Sequence, residues 1–217
     1  MHTLSRVIGY IDGFNLYGGM KERCWYQYYW ISPYRLIQNL LAPGEILGAV
    51  KYFSARVRGP DDRRNRQSEF LNAIRVVDPN EVILGKFYKR WQQCRSCKTE
   101  WATNEEKMTD SAIASHLVAD AFRDQFDTAF LVGGDTDIVP AVKMVRRWFP
   151  QKRLHVWFPP ARTNQEVADN CHDSGNIMGN HLAASLMPDE VRGPNGVLYR
   201  RPPSWSDPKT WETPTGP

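Results

Sequence analysis

The 217-residue sequence is short of apolar runs, cysteine and histidine. A helix needs about 20 consecutive apolar residues to span a bilayer, and no stretch approaches that length, which argues against a membrane protein. Residues Met1–Arg6 lack the apolar core of a secretory signal. Four cysteines without such a signal favour reduced thiols and a cytoplasmic location.

The chain also lacks a strong charge of either sign, since 28 Lys and Arg face 24 Asp and Glu for a net charge of +4. So small an excess matters for nucleic-acid binding only where it clusters. Eight tryptophans are many for this length. Exposed aromatic rings stack on unpaired bases, whereas large aromatics are more often buried in a core.

Hydrophobic periodicity predicts strands alternating with helices. The predicted strands are Arg6–Asp12, Ile46–Ala55, Glu81–Tyr88, Asp127–Val132 and Arg153–Phe158. The predicted helices are Pro33–Leu41, a helix opened by Pro60 with Val77 as its last apolar position, Lys107–Phe122, Ile138–Trp148, Glu166–Cys171 and Met178–Leu186. This order is typical of a three-layer α/β domain in which helices cover both faces of a central, mainly parallel sheet.

Proline becomes frequent after Pro188, and this divides the sequence into a domain of residues 1–187 and a Pro-rich C-terminal tail of residues 188–217. The tail has no apolar pattern for a core of its own. We expect part of it to pack on the domain through four residues, namely Val197, Leu198, Tyr199 and Trp205.

Carboxylates follow two of the predicted strands where each strand ends. Asp12 ends the first strand, and Asp135 and Asp137 form a D-x-D step just after the fourth. In an open parallel sheet, ligands bind beyond the carboxyl ends of the strands where the strand order reverses, and the first and fourth strands normally meet there. Asp110 shares the sheet-facing side of its predicted helix with Ile113. We therefore expect the four carboxylates to converge in one crevice.

Carboxylates this close repel one another, and a divalent cation removes the repulsion. All-oxygen acidic ligands suit Mg²⁺ or Mn²⁺. Such a site can hydrolyse a phosphodiester with a metal-activated water and needs no histidine base. The four aspartates are thus the predicted catalytic and metal-binding residues.

Each acid also has a purely structural interpretation. Asp110 and Asp137 suit the first turn of a helix, where they would complement the helix dipole, and Gly133-Gly134 suits a plain turn between strand and helix. A D-x-D step alone is not specific, because sugar-nucleotide transferases and phosphatases also use it. Two strand-end acids together with that step are harder to explain structurally than any one of them.

Three motifs, in their order and spacing, resemble the NYN domain family, in the LabA-like branch of the PIN-like nucleases. They are Asp12-Gly13-Phe14-Asn15, Lys107-Met108-Thr109-Asp110 and Gly133-Gly134-Asp135-Thr136-Asp137. The resemblance spans about Val7–Leu186. It implies a PIN-like, Rossmann-like fold and a ribonuclease site dependent on Mg²⁺ or Mn²⁺. By position it assigns the four aspartates to the metal, and Asn15 and Thr136 to support of the site or contact with phosphate.

The same family leaves an alternative open. Some close bacterial relatives that share the late R-P-P-x-W motif, here Arg201-Pro202-Pro203-Ser204-Trp205, are named 6-hydroxy-3-succinoylpyridine hydroxylases. The residues themselves do not support flavin or nicotinamide chemistry, since no G-x-G-x-x-G fingerprint occurs at Gly133-Gly134. A non-catalytic RNA-binding or regulatory module is the other alternative.

Cys94 and Cys97 form a C-x-x-C pair in a polar loop before the helix that carries Asp110. A structural zinc site takes four ligands, and the second pair that it would need is missing, because Cys24 and Cys171 are scattered. The pair is interpreted either as half of a zinc site or as reduced thiols in a turn.

Basic residues cluster in the segments near the predicted acidic crevice. They are Arg56, Arg58, Arg63, Arg64, Arg66, Lys86, Lys89, Arg90, Arg95 and Lys98. A basic rim around an acidic pocket suits RNA, with the rim holding phosphates, and the interleaved Tyr88, Trp91 and Trp101 suit stacking on single-stranded bases. Arg63 and Arg64 are the predicted phosphate-binding residues of this rim, together with Lys107, one helical turn before Asp110. A plain solvated charged face is the alternative.

The segment Cys24–Trp30 is dense in aromatic residues. Its sequence fits a substrate groove, a core wedge or the surface of a homodimer equally well.

Overall fold

A seven-stranded sheet forms the centre of the protein in a computed structural model that describes residues 4–206, without the side chains of residues 87–90, 102–107 and 195. Its strands in chain order are β1 (Ser5–Asp12), β2 (Glu45–Ala55), β3 (Asn80–Gln93), β4 (Glu100–Lys107), β5 (Thr128–Val132), β6 (Arg153–Phe158) and β7 (Asp173–Asn176). They lie side by side in the order β4-β3-β2-β1-β5-β6-β7. Every neighbouring pair is parallel except β3 and β4.

Seven helices connect or follow these strands in the described part of the chain. They are α1 (Gly13–Glu22), α2 (Pro33–Gln38), α3 (Asp61–Val77), α4 (Thr109–Phe122), α5 (Val139–Trp148), α6 (Gln165–Asn170) and α7 (Gly179–Ala184). Buried residues of α1, α2, α3 and α7 belong to one hydrophobic cluster, and those of α4, α5 and α6 belong to a second. Helices therefore cover both faces of the sheet, and the predicted three-layer α/β architecture is confirmed.

Side-chain alternation along β1 determines which face each of its residues serves. Val7 and Ile11 pack in the first cluster, whereas Ile8 and Tyr10 pack in the second. Because residues two apart point to the same face of a strand, Asp12 faces α4, as Tyr10 does. The sheet thus directs Asp12 toward the helix that carries Asp110.

The strand order reverses at β1. The chain builds outward from β1 through β2 and β3 to β4, and then restarts on the other side with β5, β6 and β7. Ile11 of β1 is paired with Val132 of β5, so the carboxyl ends of these two strands are adjacent. This is the place predicted for the acidic crevice.

One predicted boundary is wrong. Lys107 does not begin a helix: it ends β4, where it is paired with Lys86 of β3. Met108 then adopts a left-handed backbone with φ of 85°, and α4 begins at Thr109. Lys107 therefore does not lie on the helix of Asp110, and its side chain is outside the described residues.

The last described residues pack against the domain. Strands β8 (Glu190–Arg192) and β9 (Leu198–Arg200) form an antiparallel pair that lies on α3. Trp205 is only 7% exposed, and its ring meets the rings of Tyr29, Trp30 and Phe70.

Of the other residues expected to pack, Leu198 and Tyr199 are half-buried, whereas Val197 is exposed. The division of the chain at residues 187 and 188 stays a prediction, and residues 207–217 lie outside the described part. None of the described helices combines the length and apolar character that crossing a membrane requires.

Candidate active site

Asp12 lies at the junction of β1 and α1 and is 8% exposed. Its Oδ1 accepts hydrogen bonds from the backbone N–H groups of Phe14, at 3.0 Å, and Asn15, at 2.9 Å. The carboxylate therefore caps α1. Gly13 is required in this turn, because a Cβ there would lie 2.4 Å from the Tyr52 hydroxyl oxygen.

Asn15 joins the first motif to the loop after β5. Its Oδ1 accepts a hydrogen bond of 3.2 Å from the backbone N–H of Gly134. The carbonyl oxygen of Gly134 is held as well, because it accepts a hydrogen bond of 3.0 Å from Asn164 Nδ2. A Cβ at Gly134 would lie 2.2 Å from the carbonyl oxygen of Arg162, so only glycine fits at position 134.

Three carboxylates converge just beyond that loop. Asp135 caps a short 3₁₀ turn, Thr136–Ile138, by accepting a hydrogen bond of 3.1 Å from the Asp137 N–H. Asp110 lies in the first turn of α4. One carboxylate oxygen from each of these three aspartates lies within 4.8 Å of the others.

The fourth predicted acid borders the same place. Asp12, Asp110 and Asp135 together line a small cavity of about 30 Å³. Its apolar walls come from the cluster beneath α4 and α5, including Ile113 and Val167. Asp110, Asp135 and Asp137 thus converge at the carboxyl edge of the sheet, and the buried Asp12 borders the cavity beside them.

This donor set fits a hard divalent cation. Two ligands on one Mg²⁺ at about 2.1 Å each lie at most about 4.2 Å apart, so small side-chain rotations would bring the three oxygens into range. Exposed carboxylates on one side also leave room for the waters that Mg²⁺ retains. Mg²⁺ or Mn²⁺ is therefore compatible with Asp110, Asp135 and Asp137.

Thr136 lies between the two acids of the D-x-D step and is half-buried. Asn15 is also half-buried, and its side-chain oxygen binds the Gly134 loop. The structure therefore places Asn15 as a support of the loop and Thr136 beside the carboxylates.

The structure separates Arg63 from Arg64, which sequence reasoning had grouped. Arg64 lines an open basic groove, which we define by Arg56, Arg58, Arg64 and Lys86. Arg63 instead lines a different cavity, between α1 and α3. Arg64 is also paired with Asp61, an exposed contact of a kind that contributes little energy.

The basic groove lies beside the carboxyl end of β2, since it begins at Arg56, just after Ala55, and includes Gly85, the residue of β3 that is paired with Ala55. This is the same edge of the sheet as the carboxylates. Arg56, Arg58 and Lys86 make no ion pair among the described residues. Cationic side chains of this kind suit the phosphate groups of a bound chain.

Cys94 and Cys97 lie in the turn between β3 and β4. The Cys94 N–H donates to the Thr99 carbonyl oxygen at 2.9 Å, and Cys97 Sγ lies 3.2 Å from Thr99 Oγ1. This contact, aided by Cys94, lowers the pKa of Cys97 to about 7. Among the described residues no third ligand side chain joins the pair, and a zinc site here stays a prediction.

A buried polar network behind the acids was not predicted from the sequence. The Tyr10 hydroxyl donates to Asp120 Oδ2 at 2.6 Å, and Lys51 Nζ donates to the same oxygen at 2.7 Å. Tyr10 lines the carboxylate cavity. Burial, and then the hydrogen bond to Asp120, raise the pKa of Tyr10 far above its usual value, so its proton stays in place. No local motif marks these residues, because they meet only in the fold.

The aromatic segment Cys24–Trp30 is mainly a core wedge. Tyr29 and Trp30 are buried in the first hydrophobic cluster. Tyr29 also lines the cavity that contains Arg63. One of the three interpretations of this segment, the core wedge, therefore holds for its buried end.

The profile of the NYN domain family matches residues 6–175, and the chain belongs to this family, which is of nuclease type. The 6-hydroxy-3-succinoylpyridine 3-monooxygenase HspA of Pseudomonas putida is 25% identical over 237 aligned residues, covering 90% of this chain and 74% of that protein. A crystal structure of a protein of unknown function from Vibrio parahaemolyticus matches with a TM-score of 0.56 at 18% identity, covering 82% of this chain and 96% of that one. The likeness to the Vibrio parahaemolyticus protein concerns the fold alone and agrees with the three-layer α/β architecture.

Proposed function

We propose that the protein is a metal-dependent endoribonuclease that hydrolyses phosphodiester bonds of single-stranded RNA with a metal-activated water. One observation carries the proposal: in a chain of a nuclease-type family, the carboxylate oxygens of Asp110, Asp135 and Asp137 lie within 4.8 Å of one another. They come from two separate elements, the start of α4 and the loop after β5. A metal site explains why carboxylates from both are brought together.

Each predicted site residue has a separate proposed role, in metal binding or in phosphate binding. Asp110, Asp135 and Asp137 would hold Mg²⁺ or Mn²⁺, which when bound supplies an activated water and screens the charge of the phosphate. Asp12 is fixed by two backbone N–H groups and borders the same cavity as a further acidic ligand. Thr136 and Lys107 are proposed to contact the phosphate at the reacting bond.

The basic groove supports RNA as the substrate. Arg56, Arg58, Arg64 and Lys86 line it and would neutralise backbone phosphates along the bound strand. Trp91 and Trp101, which are 66% and 43% exposed on the β3–β4 hairpin, offer faces for unpaired bases. We keep a cytoplasmic location in the proposal, because all four cysteines are free.

The test is cleavage of a fluorescently labelled, unpaired oligoribonucleotide with and without Mn²⁺. Asp135→Asn should reduce cleavage by at least about 100-fold, because changes to groups that only support metal ligands already cost about 10- to 100-fold. The matched control is Asp173→Asn, which removes an exposed carboxylate. Asp173 begins β7 and therefore lies at the amino ends of the parallel strands, opposite the carboxyl ends where the predicted site lies. Circular dichroism should show that both variants fold.

Equal cleavage by Asp135→Asn and by the unaltered protein would contradict the proposal that these aspartates form the catalytic metal site. RNA binding with a clear salt dependence but no metal-dependent products would identify a binding module instead. Consumption of NADH that depends on 6-hydroxy-3-succinoylpyridine would favour the activity named for the Pseudomonas putida relative.

A further inference from the structure

A second, larger cavity lies on the other face of the sheet, between α1, α3 and the C-terminal segment. Its volume is about 300 Å³. Six aromatic residues line it and define it as the aromatic cavity: Phe14, Tyr17, Tyr29, Tyr52, Phe70 and Trp205. A volume at the small end of ligand pockets suits one planar ring system rather than a large ligand.

The aromatic cavity also has a cationic rim. Arg63 and Lys21 line it, and neither makes an ion pair with any residue that the structure describes. Arg66 lines it too but is paired with Asp62 at 2.6 Å. A ligand that places a ring among the aromatics and an anionic group at Arg63 would match both parts.

Consecutive residues of the chain line the carboxylate cavity and the aromatic cavity. Asp12 lines the carboxylate cavity, and the next two residues, Gly13 and Phe14, line the aromatic cavity. The Tyr52 hydroxyl lies against Gly13; burial, and then the Asp12 carboxylate, raise the pKa of Tyr52 above its usual value. The two cavities therefore adjoin at the β1–α1 turn.

We propose that the aromatic cavity receives an unpaired nucleobase of the RNA, next to the phosphodiester held at the aspartates, and that Arg63 contacts the adjoining phosphate. Stacking on aromatic rings accepts any base through its π face, and the limited volume of the cavity would add selection by size. This inference rests on the proposed RNA substrate. It makes the aromatic cavity a specificity-determining subsite and places Arg63 there rather than in the basic groove.

The test measures binding of the four ribonucleoside 5′-monophosphates to the full-length Asp135→Asn protein in EDTA, by isothermal titration calorimetry. Cleavage and metal binding then play no part in the result. Ribose 5-phosphate, which lacks a base, is the reference ligand. At least one nucleotide should bind 10-fold or more tightly than ribose 5-phosphate.

Two variants and one control variant assign that binding to the cavity. Arg63→Ala changes an exposed residue and should weaken nucleotide binding by 10-fold or more. Arg75→Ala, on the same helix but outside the cavity, should change it by less than twofold. Tyr17→Ala should weaken binding of the nucleotide and of the uncharged nucleoside alike, whereas Arg63→Ala should affect only the nucleotide.

Equal binding of nucleotide and ribose 5-phosphate would overturn the inference, as would unchanged binding in both Arg63→Ala and Tyr17→Ala. Binding of 6-hydroxy-3-succinoylpyridine without nucleotide binding would assign the cavity to a small molecule and also overturn it. Nucleotide binding in the cavity without RNA cleavage by the unaltered protein would refute only the proposed hydrolysis. Cleavage without nucleotide binding would refute only the subsite.

Discussion

Asn15 shows how a single side chain can connect two distant motifs. It lies in the first turn of α1, and its backbone N–H donates to the Asp12 cap, yet its Oδ1 accepts from the Gly134 N–H, 119 positions further along the chain. The loop that Gly134 belongs to carries Asp135 and Asp137. The geometry of the carboxylates therefore depends on a residue that is not itself an acid.

Replacing Asn15 should loosen the carboxylate site more than the fold. Asn15→Ala removes one partly buried hydrogen bond, which contributes about 1 kcal/mol to the free energy of unfolding. The Kd for Mn²⁺ should rise by roughly 10-fold or more, as for other groups that orient metal ligands. Calorimetric Mn²⁺ titration and urea denaturation measure the two effects separately.

Asn15→Asp is the conservative comparison, because it keeps the oxygen that accepts from Gly134 and should retain Mn²⁺ binding. If Asn15→Ala binds Mn²⁺ as tightly as the unaltered protein, Asn15 is only a structural residue of the α1 turn.

The acids themselves could be predicted from the sequence, and the family resemblance marks Asn15 as a support of the site. The buried network of Tyr10, Lys51 and Asp120 behind the acids could not be predicted. Asp12, Asp135 and Asp137 follow apolar strands, and a parallel sheet brings such positions together at one edge. The neighbours Arg63 and Arg64 face different cavities because a helix rotates about 100° per residue. That separation requires the packing of α3, which no local pattern contains.

Among the elements, β4, α1 and β7 are not predicted by the sequence, and β3 extends beyond its predicted end at Tyr88 to Gln93. Residues Glu100–Lys107 are mostly charged or polar, so they lack the apolar alternation that marks a half-buried strand. Helix α1 contains three glycines, which oppose helix formation by about 1 kcal/mol each; the Asp12 cap and packing on the sheet compensate. Strand β7, Asp-Ser-Gly-Asn, has no strand-forming residue and pairs only because β6 offers an edge.

The turn of the β3–β4 hairpin should contain a reactive thiol. The pKa of Cys97 is lowered to about 7, chiefly by the Thr99 side chain, so thiolate forms as the pH rises through about 7 and alkylation by iodoacetamide should rise with it. Burial raises the pKa of Cys171 to about 11, and that thiol should stay unreactive. Thr99→Val should move the alkylation profile of Cys97 to higher pH.

Peptide mass spectrometry of a Cys24→Ser background measures this profile site by site. Identical profiles for the Thr99→Val variant and its background would show that Thr99 does not stabilise the thiolate. Protection of Cys94 and Cys97 together by added Zn²⁺ would support the zinc prediction for this pair.

At the scale of the whole molecule, the C-terminal segment completes the core around the aromatic cavity. Trp30 Nε1 donates to the Pro188 carbonyl oxygen at 2.7 Å. Nη2 of Arg201 donates to the Gln27 carbonyl oxygen at 2.6 Å and to the Trp205 carbonyl oxygen at 2.8 Å. The R-P-P-x-W motif therefore positions Trp205 against the aromatic wedge instead of leaving it in a separate tail.

Trp205 should accordingly be a major contributor to stability. Trp205→Ala removes a ring that is 7% exposed, and large-to-small changes of buried aromatics cost about 3–5 kcal/mol of unfolding free energy. Trp205→Phe keeps most of the ring contacts with Tyr29 and Phe70 and should cost less. Trp148→Ala, at a tryptophan that is 63% exposed, should stay within about 0.5 kcal/mol of the unaltered protein. Urea denaturation monitored by circular dichroism gives all three values. A loss of unfolding free energy in Trp205→Ala as small as that in Trp148→Ala would mean that the C-terminal segment does not stabilise the domain. The predicted boundary at Pro188 would then separate a stable domain from an appended tail.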